Sequence, residues 1–174
     1  MFEKGTFIVY GNTGVCEIKD ITTINVKGVL KDKLYYILSP RHHKESKIFT
    51  PVDSDKTIMR LVLTKEEADA LINDIPSIEE LWVSNDKLRE EKYKETMRSC
   101  QCKDWIKIIK TLYLRREERI AQGKKTTAMD EKYLRMAEEN LYSELSLALG
   151  MPKEEIEGYI ARRIAEMEEK LEQN

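Results

Sequence analysis

Two domains of different class, a β-rich half followed by an all-α half, are what this 174-residue sequence predicts. Three observations lead there. Before about residue 62, apolar residues fall in short β-branched and aromatic runs divided by glycine and proline, the punctuation of strands. After about residue 82 they recur at spacings of three and four with capping residues at the breaks, the signature of helices. Charge marks a third division: residues 82–125 carry 13 Lys and Arg against 7 Asp and Glu, whereas residues 61–81 sum to −5 and residues 127–174 to −6. The net charge of −2 therefore conceals a basic middle, an asymmetry that points to a polyanionic partner.

The strands follow in order. Thr6-Phe-Ile-Val-Tyr10 is β-branched and aromatic, and Gly11-Asn-Thr-Gly14 supplies a turn. Val15-Cys-Glu-Ile-Lys-Asp-Ile21 alternates apolar and polar, and Thr22-Thr-Ile-Asn-Val26 continues it until Lys27-Gly28. Lys33-Leu-Tyr-Tyr-Ile-Leu38 is stopped by Ser39-Pro40, and Lys47–Thr50 and Thr57–Val62 complete about five short strands. Strands this short and numerous predict a small antiparallel β-barrel of SH3 or Tudor-like type over residues 1–62.

Residues 63–81 read as a short helix and linker: Thr64-Lys-Glu-Glu67 is a capping box, and Ile75-Pro76 ends the helix it opens. Residues 82–174 read as a compact all-α helical bundle. Ser84 is the expected N-cap of a helix reaching about Ser99. Asp104 is expected to cap the next, whose core face is Trp105, Ile108, Ile109, Leu112 and Tyr113. Thr127 with Asp130 starts a third, and Gly150 is placed to end it in the left-handed conformation. Pro152 opens the last, with Ile156, Tyr159, Ile160, Ile164, Met167 and Leu171 in one stripe.

Several function classes fall away. The longest apolar runs are too short to span a membrane. Met1-Phe-Glu-Lys-Gly5 has no apolar signal core, so a cytoplasmic location is expected. Three cysteines, Cys16, Cys100 and Cys102, make no disulfide framework. His42 and His43 are adjacent, and Cys100-Gln-Cys102 has no further ligands at metal-site spacing, so no metal and no cofactor is expected. No phosphate loop, dinucleotide fingerprint, nucleophile elbow or paired zinc histidines occur. The chain is expected not to be an enzyme.

The basic middle admits two readings. One is a solvated helical face laced by pairs such as Glu90–Lys94 and Glu91–Lys94, worth tenths of a kcal/mol each. The other is phosphate contact, which Arg115-Arg116 and Lys124-Lys125 suit better because no acid flanks them closely enough in sequence to neutralise both members. Trp82 likewise stands open between a hydrophobic staple onto the bundle and an exposed wedge that unstacks a base step. Trp105, in a dense apolar stripe, belongs to the core.

The order of these parts carries a resemblance. It rests on Phe2, Gly5-Thr-Phe-Ile-Val-Tyr10 with Gly14-Val15, Val26-Lys-Gly28, Tyr35-Tyr-Ile-Leu38 and Ile48-Phe-Thr-Pro-Val52. In the helical half it rests on Lys110-Thr-Leu-Tyr-Leu-Arg-Arg-Glu-Glu-Arg119, Gly123-Lys-Lys125, Ala137-Glu138, Leu141, Glu144-Leu145 and Ala148. In this order the chain resembles the CarD/CdnL family of bacterial transcription regulators.

The resemblance implies that the N-terminal domain docks on the β subunit of RNA polymerase through an exposed strand edge. Thr22, Thr23, Ile24, Asn25, Val26 and Lys27 occupy the matching position, with Phe49 on the neighbouring strand; some family members carry an arginine where this chain has Ile24. It further implies that the helical domain leans on promoter DNA at the upstream edge of the melted bubble, where a tryptophan wedges into the minor groove and stabilises the open complex. Trp82, Lys87, Arg89, Arg115, Arg116, Arg119, Lys124 and Lys125 are the implied DNA-contacting set, largely without sequence specificity. Counted back from Leu112-Tyr113 without gaps, however, the family's wedge position falls on Asp86, one helical turn (~6 Å) beyond Trp82. Either an insertion of one turn keeps Trp82 as the wedge, or the chain relies on phosphate contacts alone. A monomer on polymerase is the expected state. A protein–protein adaptor on polymerase without DNA contact is the competing reading.

Overall fold

A computed structural model describes residues 1–25, 27, 28 and 32–174 of the chain. It divides into two compact units, Met1–Val62 and Leu63–Asn174.

In the first unit β1 (Phe7–Tyr10), β2 (Gly14–Thr23), β3 (Leu34–Pro40), β4 (Ile48–Pro51) and β5 (Met59–Leu61) form one antiparallel sheet in the order β4-β3-β2-β1-β5. Alternation sends Ile8, Cys16, Ile18, Tyr36 and Leu38 to one face, where they make a fully buried cluster sealed by Phe2, Tyr10 and Ile48. Burial in this apolar layer pushes the Cys16 thiol up to about 12. The Tyr36 hydroxyl accepts the Phe2 N–H at 2.8 Å, so the one polar atom of the largest ring in the cluster is satisfied. Gly11 (φ +48°) is required, since a Cβ there would lie 2.7 Å from Thr57 Cγ2.

The expected barrel is not what the described strands make. Closure needs the two ends of the sheet to pair, but β5 is three residues long and pairs with β1, while β4 pairs with β3. The sheet is open. A bulge between Ile18 and Asp20 bends β2, and β1 covers only Gly14–Glu17 of it.

The second unit contains α1 (Lys65–Asp74), α2 (Arg89–Arg98), α3 (Cys102–Ala121), α4 (Ala128–Leu149) and α5 (Lys153–Glu172). Its core is Tyr93, Met97, Trp105, Ile108, Leu112, Ala137, Leu141, Leu145 and Ile156, all essentially inaccessible. Each large apolar side chain among them contributes about 1.5–3 kcal/mol of transfer free energy. Residues 63–81 are built into this unit. The Thr64–Glu67 capping box is present, α1 packs on α4 and α5, and Glu144, fully buried on α4, accepts the Leu63 N–H at 2.9 Å and the Cys102 thiol at 3.2 Å.

Three helix starts differ from expectation. Asn85, not Ser84, is the capping residue: its side chain accepts the Lys87 N–H at 3.0 Å and opens a 3₁₀ turn at Asp86–Leu88, so α2 begins only at Arg89. Helix α3 begins at Cys102 after Gln101, and Asp104 sits inside its first turn, where an acid favours the helix dipole. Pro152 is the N-cap position of α5 rather than a first-turn residue. Of the α5 stripe only Ile156 is fully buried, and Leu171 is exposed, so packing thins toward the end of that helix.

Candidate functional site

The segment ahead of α2 is laid along α3 by a ladder of polar contacts. Lys110 Nζ donates to the carbonyls of Ile75, the C-cap residue of α1, and of Ile78, which closes the 3₁₀ turn that follows it. One residue on, Thr111 Oγ1 accepts the Leu81 N–H at 2.8 Å while its own hydroxyl donates to Lys107 O at 2.6 Å. One helical turn further, Arg115 Nη1 lies 3.8 Å from Asp86 Oδ1. Residues 82–85 are thus a short loop pinned at both ends on one helix. Trp82 projects from it with 80% of its surface exposed. The staple reading is therefore overturned: a staple needs the ring packed against the first turn of a helix, and here the helix starts seven residues later with the ring in solvent. Trp105, by contrast, is completely buried.

Asp86 is the centre of the clasp. Its Oδ1 accepts from Arg89 Nε at 3.1 Å and Nη2 at 2.9 Å, and Arg115 lies beyond. The hydrogen bond from Arg89, then the charges of Arg89 and Arg115, hold the Asp86 carboxyl below the usual carboxylate range. Arg115 Nε donates to Asp130 Oδ2 at 2.6 Å, with the Asp130 side chain almost wholly buried. The Tyr93 hydroxyl accepts from Arg89 Nη1 at 3.1 Å and reaches Asp130 Oδ1 at 3.5 Å. The expected phosphate-contacting set thereby divides. Arg89 and Arg115 are largely covered side chains committed to carboxylates of the same unit. Lys87, Arg116, Lys124 and Lys125 are exposed, and Arg119 is half-exposed. Arg119 Nε donates to Lys125 O at 2.7 Å and its carbonyl accepts the Lys124 N–H at 2.8 Å, which folds the turn through Gly123 (φ +73°) and fixes both lysines at the end of α3.

Sequence spacing could not show that Asp130, fifteen positions beyond Arg115, neutralises it, nor that Thr111 anchors Leu81. Only the Asp86–Arg89 pair, three residues apart near a helix start, was within reach of local reasoning.

In the sheet unit, Thr22 and Thr23 end β2, paired on one side with Tyr35 and Leu34 of β3. On the other side β1 has already ended, so no strand among the described residues covers this stretch. Ile24 and Asn25 continue beyond the strand and Lys27 lies in a turn, while Val26 lies outside the described residues. Phe49 is 52% exposed on β4. Its strand does not neighbour β2 as expected, because β3 lies between them, with Phe49 opposite Ile37 and Ile37 opposite Asp20. All three share the face opposite the buried cluster.

A sheet with a partly uncovered strand, and a helical unit that presents a pinned, exposed tryptophan and several exposed cations, are features of a protein that works through contact with partners. Two family models give that class its content. The CarD-like/TRCF RID domain matches residues 2–62 and the CarD C-terminal domain matches residues 77–161. These are the domains of an RNA polymerase-interacting transcription regulator. The chain belongs to the CarD/CdnL family. No curated protein matched the chain.

Proposed function

We propose that this chain regulates transcription initiation by holding RNA polymerase and promoter DNA at once, and that it stabilises the open complex without catalysing a reaction. In this reading the sheet unit is a Tudor-like docking module. It binds the polymerase β subunit along the uncovered stretch of β2, through Thr22–Lys27, with Phe49 adding apolar contact from the same sheet. The helical unit meets DNA at the upstream edge of the bubble. Trp82 enters the minor groove there, and Lys87, Arg116, Arg119, Lys124 and Lys125 contact phosphates. Arg89 and Arg115 act one step back, positioning the loop through Asp86. The protein works as a monomer on polymerase, in the cytoplasm.

The observation that carries the reading is the exposure of Trp82. An indole left in water forgoes about 1.5–3 kcal/mol of burial, and a loop anchored at Thr111 and Arg115 holds it there. A base step supplies the missing apolar surface. Trp82→Ala tests it. The variant should fold with an unchanged melting temperature and bind polymerase normally, yet shorten the lifetime of the open complex by roughly tenfold, since about 1.4 kcal/mol is one decade. An unchanged lifetime with polymerase binding intact would instead favour an adaptor that makes no DNA contact.

A further inference from the structure

Helix α5 is lightly held. Ile156 is its one fully buried side chain, and the stripe that begins there ends in the exposed Leu171. Polar ties fasten it on either side of that anchor: Lys153 to Glu139 of α4, and Arg163 to Asp69 and Asn73 of α1. Between them stands Glu157, whose Oε1 lies 3.4 Å from the Tyr113 hydroxyl of α3. The same hydroxyl lies 3.1 Å from Glu138 Oε1 of α4.

This junction is one hydrogen short. A phenol carries one hydrogen and two lone pairs, and an ionised carboxylate only accepts. Tyr113 therefore serves one carboxylate at a time, and Glu138 is the nearer. Glu157 then faces the phenol oxygen with no hydrogen between them, and two like charges converge on one atom. The surrounding groups do not supply the missing hydrogen. Arg116 of α3 acts on Glu138 only through space, the Tyr142 hydroxyl of α4 hydrogen-bonds that of Tyr113, and Arg135 of α4 lines the cleft beside Glu138. Burial pushes the Glu138 carboxyl above its ordinary value of 4.5; the Tyr113 hydrogen bond and the Arg116 charge oppose this, and the Glu157 charge adds to it. Both phenols are raised, chiefly by burial, and stay protonated.

We propose that Glu138 and Glu157 share one proton across the Tyr113 hydroxyl, and that its uptake as pH falls tightens α5 onto α3 and α4. The proton comes from solvent. Placed on Glu138, it lets that carboxyl donate to Tyr113 Oη, and the Tyr113 hydrogen turns to Glu157. Repulsion at the junction becomes a hydrogen-bonded chain from α4 through α3 to α5. The latch is independent of the proposed polymerase and DNA contacts. Its sign is opposite to that of an ordinary paired carboxylate. Because the folded-state Glu138 value is raised, its stabilising contribution is fully present below 4.5 and is lost as pH rises through the folded value.

Carboxyl carbon NMR of the full chain, with amide exchange along α5, tests the latch. Glu138 should titrate above 4.5, and Glu157→Gln should lower its midpoint by removing the like charge. Exchange at residues 157–164, corrected for intrinsic pH dependence and referred to Ile108 and Ile109, should slow between pH 7 and pH 5. The slowing should reach up to about tenfold for each pH unit by which the Glu138 midpoint exceeds its unfolded value. Glu138→Gln, whose amide donates without a proton from solvent, should show the slow exchange already at pH 7 and no pH response. If that variant does not fold, Glu157→Gln, at an exposed position, carries the test and should also abolish the response. A Glu138 midpoint at or below 4.5 overturns the proposal. So does α5 exchange that is unchanged between pH 7 and pH 5, or a pH response that survives in the folded variants.

Discussion

Asp86 occupies the position at which a gap-free count places the family's wedge tryptophan, and the structure gives it a different task. Its carboxylate gathers Arg89 and Arg115 over the start of α2 and so fixes the far end of the loop from which Trp82 projects. Because the folded-state carboxyl is held below its ordinary value of 3.8, linkage fixes the sign of the pH response. The stabilising contact is fully present above 3.8 and is lost only as pH falls through the lower folded-state value. Amide exchange at residues 82–86, corrected for the intrinsic pH dependence of exchange, should therefore be flat from pH 7 to pH 5 and accelerate only below about pH 4. Asp86→Asn should show the accelerated exchange already at pH 7, with secondary structure unchanged. Loosening of the wild-type loop at pH 5 to 6 would show that another group, not Asp86, holds it.

At the scale of elements, what could be read in advance was what a few adjacent residues decide. The Thr64–Glu67 capping box, the Thr127 cap on Asp130 N–H and the left-handed Gly150 after α4 each appear as the local pattern implies. Two of the misread helix starts involve neighbouring cap candidates, Ser84 against Asn85 one residue on and Asp104 against Gln101 three residues before it; Asn85 caps by accepting the Lys87 N–H, whereas Gln101 makes no side-chain cap bond. Sheet closure and the fate of Arg115 depend on partners far along the chain, which no local pattern specifies. Two glycines test the local physics with opposite signs. Gly150→Ala puts a side chain at φ +66° with no atom in its way, so backbone strain alone should destabilise by about 1–2 kcal/mol. Gly158→Ala, inside α5 and equally unobstructed, should stabilise by about 0.5–1 kcal/mol. Urea denaturation of the pair measures both. Equal effects of either sign would mean that conformation at position 150 does not control the end of α4.

For the whole molecule the proposed function raises the question of how a chain of net charge −2 would serve a nucleic acid. Of the cations in that proposal, Arg89 and Arg115 are paired with carboxylates, whereas Lys87, Arg116, Arg119, Lys124 and Lys125 form no ion pair among the described residues and are the ones proposed to meet phosphates. Five phosphate contacts correspond to a slope of log K against log salt of roughly −4.5 on duplex DNA, and the acidic remainder of the chain makes the intrinsic affinity weak. In the proposed function, docking on polymerase would compensate by raising the local concentration of the helical unit at the promoter, which requires no additional DNA contact. The isolated chain should therefore lose duplex binding steeply as salt rises, while the polymerase-bound chain keeps its promoter footprint at salt where the isolated chain has let go. Replacing Lys124 and Lys125 together with alanine should flatten the slope for the isolated chain by roughly 1.8, two phosphates at about 0.9 each. Arg115→Ala should leave the slope nearly unchanged while lowering the melting temperature, because it removes an internal ion pair and strands the buried Asp130. Anisotropy of a labelled duplex across a salt series reads both. A slope that falls with Arg115→Ala and ignores the lysine pair would reverse the division between positioning and phosphate-contacting cations drawn from the geometry.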